Sequence, residues 1–497
     1  MSAPTRKCKV YFQSSFNTFG LTQNLEVSLH ERFSLMRRNL SFPQPLTALI
    51  AYPAASLPTA DFLSRRITEL QEHFPLLRCE VVNAKTREPA FQQRATSYAP
   101  EEILRQASFT LVEGSDGTQE KERILYNELD RMTREDLTRP LWQVTLFTPS
   151  SPSDRGYVAL SADHILIDGK GLALLTQALL APDISSLPTE TLAQIPLMED
   201  TIDIRPPYSY LLPVVWQELL VPKLPSFLQS YVAQPKPWPG SNIQRSPAEC
   251  EWGLSLLELA PSLVDALKSA GKVHEVKTLH PILKAAHFVA MWAVLAHNSP
   301  DIPFPLKANT PRTERKASLG HAYCTSNYTA STDVQVQLKA SDDFWATARY
   351  VAHALGSPEG IQNGRYNMGM LSFLPDPIPD PAKADTDRPT GWEEHFYGKL
   401  HGSDPFGGSL EVSNLGYAAL PEGAEDLLWS SASWPCAPVL NANVVGHGNG
   451  LRIVTVWREG AAVTKEQVKE VEKVLRRVLE RVAGNEAQES KLKDLAA

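Results

Sequence analysis

The chain has 497 residues, of which 43% are hydrophobic and 21% are charged, a composition typical of soluble globular proteins. A chain of this length can form about two or three domains. The net charge of −8 and the pI near 5.9 argue against a nucleic-acid-binding surface, which needs clustered lysine and arginine.

Cysteine usage and the lengths of apolar runs indicate in which cellular compartment the protein is located. The five cysteines are scattered without a CxxC pair, which favours reduced thiols over a disulfide framework or a zinc site. The N-terminal stretch MSAPTRKCKVYFQSS lacks the apolar core of a secretory signal, and no apolar run approaches the ~18 residues that span a bilayer. We therefore expect a cytoplasmic protein with no membrane span and no metal site.

The first part of the chain, residues 1–185, alternates predicted strands and helices. Periodicity and turn signals give, in chain order, the strand PLTALIAY (45–52), a helix that ends before Pro75, a strand after that proline, the charged helix ILYNELDRMTREDL (124–137), the strands PLWQVTLFT (140–148) and RGYVALSAD (155–163), and the helix GLALLTQALL (171–180). This alternation predicts a mixed α/β lobe.

Residues 186–245 have a proline every few positions, which is typical of a crossover linker. Within the linker, residues 207–233 are rich in large apolar side chains. We expect this segment either to pack against the protein or to cover the tunnel between the two lobes, and contact with a membrane surface is the alternative. Residues 246–497 again alternate strands and helices, including a hairpin with an HGNG turn, and predict a second lobe.

One stretch, ALSADHILIDGKGLALL (159–175), carries the pattern H-x-x-x-D-G. His164 follows a predicted strand, where a side chain can face a cleft, and Asp168-Gly169 is a turn dipeptide in which glycine can take a positive φ. The structural interpretation is that Asp168 caps the next helix and His164 packs against its neighbours. The chemical interpretation is that His164 is a general base, because imidazole can accept a proton from an alcohol near neutral pH.

Four segments, HFPLLRCEVV, RPLWQVTLF, DHILIDGKGLALL and VSNLGY, occur in this order and together resemble the CoA-dependent acyltransferase superfamily, above all its fungal alcohol acetyltransferase-like branch. The resemblance spans residues 20 to 485 and implies an α/β (α+β) fold of two chloramphenicol-acetyltransferase-like lobes with mixed sheets and a tunnel between them. Two features depart from relatives within the superfamily. Asp163 stands where condensation domains carry a second histidine, and the DFGWG segment of plant members has no match here.

The resemblance also implies roles for residues around His164. Asp168 would not orient the base but would hold the loop through a structural ion pair with Arg78, with Arg312 as the reserve partner. Ser413 and Asn414 would lie on a strand of the second lobe that faces His164 and would donate hydrogen bonds to the oxyanion. For each of these residues, an ordinary strand or turn role is the alternative.

A group of basic residues is a candidate for binding the acyl donor. Lys307, Arg312, Arg315 and Lys316 lie within ten positions and would bind the phosphates of CoA, although a solvated basic turn is the alternative.

The sequence thus predicts an acyl-CoA-dependent O-acyltransferase that moves an acetyl or short acyl group to an alcohol, such as a hydrophobic secondary metabolite. Transfer to an amine and a catalytically silent binding role are the two alternatives. The expected partners are acyl-CoA and a small-molecule alcohol, with no nucleic acid, and we expect a monomer whose membrane contact, if any, is peripheral.

Overall fold

The computed structural model describes three β-sheets arranged in two lobes. The residues it describes are 8–12, 21–109, 117–150, 155–187, 189, 195–232, 234, 236–296, 301–315, 325–377, 387–484 and 491–497.

The central sheet of the first lobe has five strands, in the spatial order β13 (Asp426–Ser431), β3 (Leu46–Pro53), β8 (Arg155–Ala162), β7 (Trp142–Pro149) and β6 (Leu104–Phe109). Both faces of this sheet are covered. Ile50 packs on one side with helix α2 (Ala60–His73), while Leu49 packs on the other with helix α4 (Gly117–Arg134). Strand β13 belongs to the second half of the chain but pairs antiparallel with β3, so the two halves share this sheet.

A second, smaller sheet of the first lobe is antiparallel throughout. Its four strands are β1 (Cys8–Phe12), β2 (Leu21–Glu26), β5 (Ala90–Gln93) and β4 (Cys79–Val82), in that spatial order.

The sheet of the second lobe has six strands and mixed pairing, because β10, β12 and β14 run parallel and the other pairs are antiparallel. The strands are β11 (Thr329–Leu338), β10 (Phe304–Thr313), β12 (Leu410–Tyr417), β14 (Leu440–His447), β15 (Gly450–Arg458) and β9 (Trp252–Leu259). On β12, Leu410 and Val412 are fully buried against the helices of the lobe, so by strand alternation Glu411 and Ser413 face the other way. This second face looks toward the first lobe.

The other helices complete the two lobes. They are α1 (Leu29–Asn39), α3 (Pro100–Ile103), α5 (Gly169–Leu180), α6 (Met198–Thr201), α7 (Tyr208–Val215), α8 (Ser226–Val232), α9 (Pro261–Val273), α10 (Leu279–Leu295), α11 (Phe344–Gly356), α12 (Pro358–Gly369), α13 (Gly391–Leu400), α14 (Lys465–Ala483) and α15 (Leu492–Ala496). The predicted class, α/β with two lobes of mixed sheets, is confirmed.

The apolar segment 207–233 is packed only in part. Val221 is 4% exposed and the ring of Tyr210 lies 5.3 Å from that of Tyr366, whereas Tyr208, Phe227 and Tyr231 are 79%, 65% and 85% exposed. None of its described residues lines the cavities next to His164. Part of the segment therefore packs against the protein, but its described residues do not cover the cavities beside His164. No helix in the described part of the chain has both the length and the apolarity to cross a bilayer.

Candidate active site

The loop that carries His164 connects β8 to α5. It begins at Asp163, whose hydrogen bonds anchor it. The Asp163 carboxylate accepts hydrogen bonds from the backbone N–H of Ile165 (2.8 Å) and from Nε of Arg38 (2.8 Å), and its own backbone N–H donates to Leu141 O (2.7 Å). Asp163 is 3% exposed. Asp163, which stands in place of a second histidine, therefore anchors the loop. Its carboxylate accepts hydrogen bonds and forms an ion pair with Arg38.

Asn327, from the second lobe, determines which nitrogen of His164 carries the proton. The Asn327 side-chain NH₂ donates to the backbone carbonyls of His164 (2.8 Å) and Ile165 (3.1 Å), which leaves its Oδ1 as an acceptor. Oδ1 lies 3.1 Å from Nδ1 of His164, so Nδ1 must be the protonated nitrogen. Nε2 consequently carries the free lone pair, which is the form that a general base requires.

The surroundings of His164 keep the imidazole neutral. Burial, and after it the charge of Arg37, lower the pKa of His164 to about 4, although the charge of Asp168 opposes both effects. A neutral ring at pH 7 means that nearly every molecule has its base in the active protonation state.

A second histidine, His30 on α1, lies against the first. The two rings have centroids 5.0 Å apart with a 40° tilt, and His30 is 8% exposed. Burial lowers the pKa of His30 well below its ordinary value, with further lowering by His164 and Arg37. Two neutral imidazoles therefore lie together at the wall of one cavity.

Asp168 joins the two lobes. As the N-cap of α5 it accepts from the N–H of Gly171 (2.8 Å), and Nη1 of Arg315 lies 2.6 Å from each of its carboxylate oxygens. The backbone N–H of Tyr328 (2.9 Å) and the hydroxyl of Thr329 (3.1 Å) also donate to it. Burial alone would raise the pKa of Asp168, but the charge and hydrogen bonds of Arg315 lower it overall, so the carboxylate is ionised.

The expected ion pair with Arg78 is therefore wrong, and so is the reserve partner Arg312. Arg78 lies at the end of a short helical turn, where its Nε and Nη2 are 2.7 and 2.5 Å from the side-chain amide oxygen of Gln93 in the orientation that satisfies both groups. Arg312 lies nearer to Glu314, with its Nε 3.6 Å from that carboxylate. Arg315 reaches Asp168 because it lies just past the end of β10, the strand of the second lobe that ends beside the loop.

Gly169 has a different role from the one expected. It is the first residue of α5 and has no positive φ. A Cβ at this position would lie 3.1 Å from Cδ2 of Leu415 and 3.1 Å from the Trp429 ring, which is tighter than an ordinary contact. Glycine is needed here because the helix start packs closely against these two side chains.

A cavity of about 480 Å³ lies between the lobes, and His164 is part of its wall. Ser413 and Asn414 line the same cavity, as the resemblance implied, together with residues of α1 and β13. Oδ1 of Asn414 already accepts from the N–H of Gly416 (2.8 Å), so its NH₂ group is the donor that is left for a ligand. The hydroxyl of Ser413 is a second donor on this wall.

A larger cavity of about 1120 Å³ adjoins the first. Pro311, Arg312, Thr313 and Asn414 line both cavities, so the two spaces meet at the ends of β10 and β12. The cations along the larger cavity are Lys268, Lys277, Arg312 and Arg349. The larger cavity and its cations therefore lie next to the cavity of His164.

Of the four cations that were expected to bind CoA, the three that the structure describes do not form a group. Lys307 pairs with Asp333 (2.9 Å), and Arg315 is 5% exposed and committed to Asp168. Lys316 lies outside the described residues. Of the other three, only Arg312 lines either cavity, so the expectation for Lys307 and Arg315 is wrong.

Sequence reasoning missed the contribution of α1. His30, Phe33 and Arg37 are spaced three and four residues apart, which places them on one helical face, and all three line the cavity of His164. The spacing is visible in LHERFSLMRRN, but it also fits an ordinary amphipathic helix, so the sequence alone does not distinguish the two. Within the described ranges, no group of three potential metal ligands is close enough to hold a metal ion.

The fold defines a structural class, the condensation-domain and chloramphenicol-acetyltransferase-like fold, and known proteins match the chain at the level of structure alone. No family model matches the sequence, and no curated protein matches it.

Three solved structures illustrate the likeness, each at the level of the fold. The first condensation domain of the calcium-dependent antibiotic synthetase aligns with a TM-score of 0.62 at 15% identity, covering 95% of this chain and 98% of that one. The trichothecene 15-O-acetyltransferase TRI3 from Fusarium sporotrichioides aligns with a TM-score of 0.61 at 12% identity, covering 96% and 97%. The epimerization domain of tyrocidine synthetase B aligns with a TM-score of 0.60 at 12% identity, covering 96% and 98%.

Proposed function

We propose that this protein is an acyl-CoA-dependent O-acyltransferase that moves an acetyl or short acyl group to an alcohol, with His164 as the general base. The observation that carries the proposal is the hydrogen bond from Nδ1 of His164 to Asn327, which leaves Nε2 free at the wall of a cavity between the lobes. The TRI3 O-acetyltransferase shares the fold, and by analogy with it we propose O-acyl transfer as the reaction. Membership of the fungal alcohol acetyltransferase-like branch is part of the same proposal.

The proposed reaction needs no covalent intermediate on the protein. Nε2 of His164 takes the proton of the acceptor hydroxyl as its oxygen attacks the thioester carbonyl. The hydroxyl of Ser413 and the NH₂ of Asn414 donate to the oxyanion that forms. The carbon–sulfur bond then breaks, and the imidazolium returns its proton to the departing thiolate, so that ester and CoA thiol are released and His164 is neutral again.

An alcohol fits this site better than an amine. Amines are mostly protonated at neutral pH, and four cations line the cavity of His164: Arg37, Lys170, Arg312 and Lys399. These charges disfavour entry of an ammonium group. We also propose that the protein is cytoplasmic, which agrees with the free, buried thiols of Cys79, Cys250 and Cys436.

The test of the proposal is a comparison of donors with the purified protein. Acetyl-CoA and a panel of alcohols should give the acetyl ester and one free thiol per ester, measured by mass spectrometry and a thiol reagent. Transfer from an acylated carrier protein with none from acetyl-CoA would overturn the donor assignment. Ester formation with the same alcohols by His164→Ala at the wild-type rate would overturn the role of the base.

The pH dependence of transfer should be unusual for a histidine enzyme. Because the pKa of His164 is lowered to about 4, kcat/KM should stay level from pH 7 down to about 5 and fall as the pH passes through about 4. A base with the ordinary pKa of ~6.5 would lose activity about 2.5 pH units higher. The unfolded chain takes up protons at that ordinary pKa, so stability also falls as the pH drops below about 6.5, and circular dichroism must show that the protein is folded at each point. An acid limb centred near pH 6.5 in folded protein would contradict the assignment.

The larger cavity should bind the nucleotide part of CoA. The double substitution Arg312→Gln, Lys277→Gln should raise KM for acetyl-CoA about fivefold or more while kcat changes little, because contacts that are equal in ground and transition states are lost. The effect should shrink with salt and be absent with acetyl-pantetheine, which lacks the nucleotide. Lys307→Gln is the matched control, because this lysine pairs with Asp333. An unchanged KM in the double variant would exclude this cavity as the phosphate site.

A further inference from the structure

Strand β12 extends from the larger cavity into the cavity of His164. Gly416 and Tyr417 line only the larger cavity, Asn414 lines both cavities, and Ser413 and Glu411 line only the cavity of His164. The order along the strand places Glu411 beyond the two proposed oxyanion donors, on the side away from the proposed nucleotide site.

Strand β10, the parallel neighbour of β12, shows the same order. Its residues Pro311, Arg312 and Thr313 line both cavities, whereas Asn309 lines only the cavity of His164. Asn309 is the register partner of Glu411. Two adjacent strands therefore place Glu411 in the part of the cavity that is left for the acceptor.

The carboxyl group of Glu411 has unused hydrogen-bonding capacity. Strand alternation turns the partly buried Glu411 toward the first lobe, and its side chain makes no hydrogen bond or ion pair with any described residue. The side-chain NH₂ groups of its two strand neighbours donate elsewhere, that of Asn309 to Asp333 (3.2 Å) and that of Asn441 to Pro438 O (2.9 Å). A polar group of the cavity wall is therefore left for a ligand.

Two cations act on Glu411 through their charge and not through contact. The guanidinium group of Arg37 donates to the side chains of Ser34 and Gln44. The ammonium group of Lys284 donates to a backbone carbonyl (3.0 Å) and to a threonine hydroxyl. Neither cation therefore occupies the hydrogen-bonding positions of the Glu411 carboxyl.

Near neutral pH this carboxyl is present in both protonation states. Burial raises the pKa of Glu411 to about 7; the charges of Arg37 and Lys284 oppose this rise, and Asp333 adds to it. The protonated carboxyl can donate a hydrogen bond, whereas the ionised form only accepts. A hydroxyl can bond to either form, but an ammonium group can only donate and a carboxylate can only accept. The four cations along the cavity also oppose an ammonium group.

We infer that the acceptor is a diol or polyol, whose reacting hydroxyl meets His164 while a second hydroxyl forms a hydrogen bond with the carboxyl of Glu411. This inference rests on the proposed O-acyl transfer and names its substrate class. Glu411 selects the acceptor and takes no part in the proton transfer. Phe33, Leu46 and Trp429 line the same cavity, so the carbon skeleton of the acceptor has apolar side chains on which to pack.

The experiment compares the three isomeric cyclohexanediols with the mono-methyl ether of each, with acetyl-CoA as donor. The two hydroxyls of each diol are equivalent, and the ether keeps one of them but cannot donate to Glu411. For the diol that fits best, kcat/KM should exceed that of its ether by at least about tenfold, which is more than the roughly twofold advantage of having two reactive hydroxyls. The corresponding aminocyclohexanol should be a poorer acceptor than the diol.

Substitutions of Glu411 test whether this preference comes from the carboxyl. Glu411→Leu should reduce the diol-to-ether ratio to about two, mainly through a higher KM for the diol. Glu411→Gln keeps an amide oxygen and should give an intermediate ratio, since hydrogen bonds to charged groups are about twice as strong as neutral ones. Glu422→Leu is the control, because Glu422 is exposed and lines neither cavity, and it should leave the ratio unchanged.

The ratio separates substrate selection from a role in folding, because a loss of folded protein lowers the rates with diol and ether alike. The diol assignment is overturned, and O-acyl transfer left intact, if no diol exceeds its ether by more than about twofold or if the folded Glu411 variants keep the wild-type ratio. A steric clash of the methyl group would also keep the ratio unchanged in Glu411→Leu. An aminocyclohexanol that is better than the diol would make an ammonium group the partner of Glu411. If no alcohol of either kind releases CoA thiol, the proposed function and the inference both fail. Glu411→Gln keeps the test valid if Glu411→Leu does not fold.

Discussion

Replacement of His164 by alanine should lower kcat/KM for acyl transfer by about 10²–10⁴-fold, which is the range that a positioned general base contributes. The loss should be in kcat, while the affinity for acetyl-CoA and the melting temperature stay close to wild type, because His164 lines a cavity and its ring makes one side-chain hydrogen bond, to Asn327. Steady-state kinetics, calorimetric titration with CoA and thermal unfolding measure the three quantities.

The matched control is His401→Ala. His401 is exposed in the turn after α13 and lines neither of the two cavities. Its replacement should leave kcat/KM within about twofold of wild type, as is usual for surface substitutions. A His164→Ala variant that kept activity within about threefold would show that the base is another group.

His30 is the group to examine in that case. Its ring lies beside that of His164 and is neutral for the same physical reason, burial. Nδ1 of His30 has no hydrogen-bond partner among the described residues, so no side chain there fixes its tautomer as Asn327 fixes that of His164. The fixed tautomer is what distinguishes the two histidines, and it assigns the base to His164.

Much of the fold could be predicted because local patterns determine it. The strand at Leu46–Pro53, the helix at Ala60–His73 and the hairpin of β14 and β15 all lie where periodicity and turn residues placed them. Strand β13 was not predicted, because its pairing with β3 joins residues more than 370 positions apart and leaves no local signal.

In the candidate site, too, local features could be predicted from the sequence and long-range contacts could not. His164 was found because H-x-x-x-D-G is a contiguous pattern, whereas Asn327 is 163 residues away from the ring that it orients. Arg315 was assigned to CoA because a basic cluster in sequence suggests a surface for phosphates. In the structure, Arg315 turns inward to a buried carboxylate, while Lys307 pairs with Asp333 on the neighbouring strand. Charge patterns in a sequence do not show which charges neutralise each other.

The largest effect on stability should come from the ion pair of Asp168 and Arg315. The side chains are 1% and 5% exposed, so the removal of either partner leaves an unpaired charge in the interior, which typically costs about 3–5 kcal/mol. Asp168→Asn is the informative change, because asparagine is as good an N-cap as aspartate and only the charge is lost. Both Asp168→Asn and Arg315→Gln should also lower kcat, since Arg315 and the segment from Ser326 to Thr329 hold the loop of His164 across the lobes.

The double variant Asp168→Asn, Arg315→Gln should be less destabilised than the sum of the two single variants, because it leaves no buried charge without a partner. Midpoints of urea and thermal unfolding measure this coupling. Arg78→Ala is the control, since Arg78 contacts Gln93 instead of Asp168, and it should show no coupling to Asp168→Asn. Strictly additive losses for Asp168 and Arg315, or coupling of Asp168 to Arg78, would mean that the lobes are joined differently in solution. Coupling to Arg315 would identify this buried pair as the contact through which the second lobe holds the catalytic loop of the first.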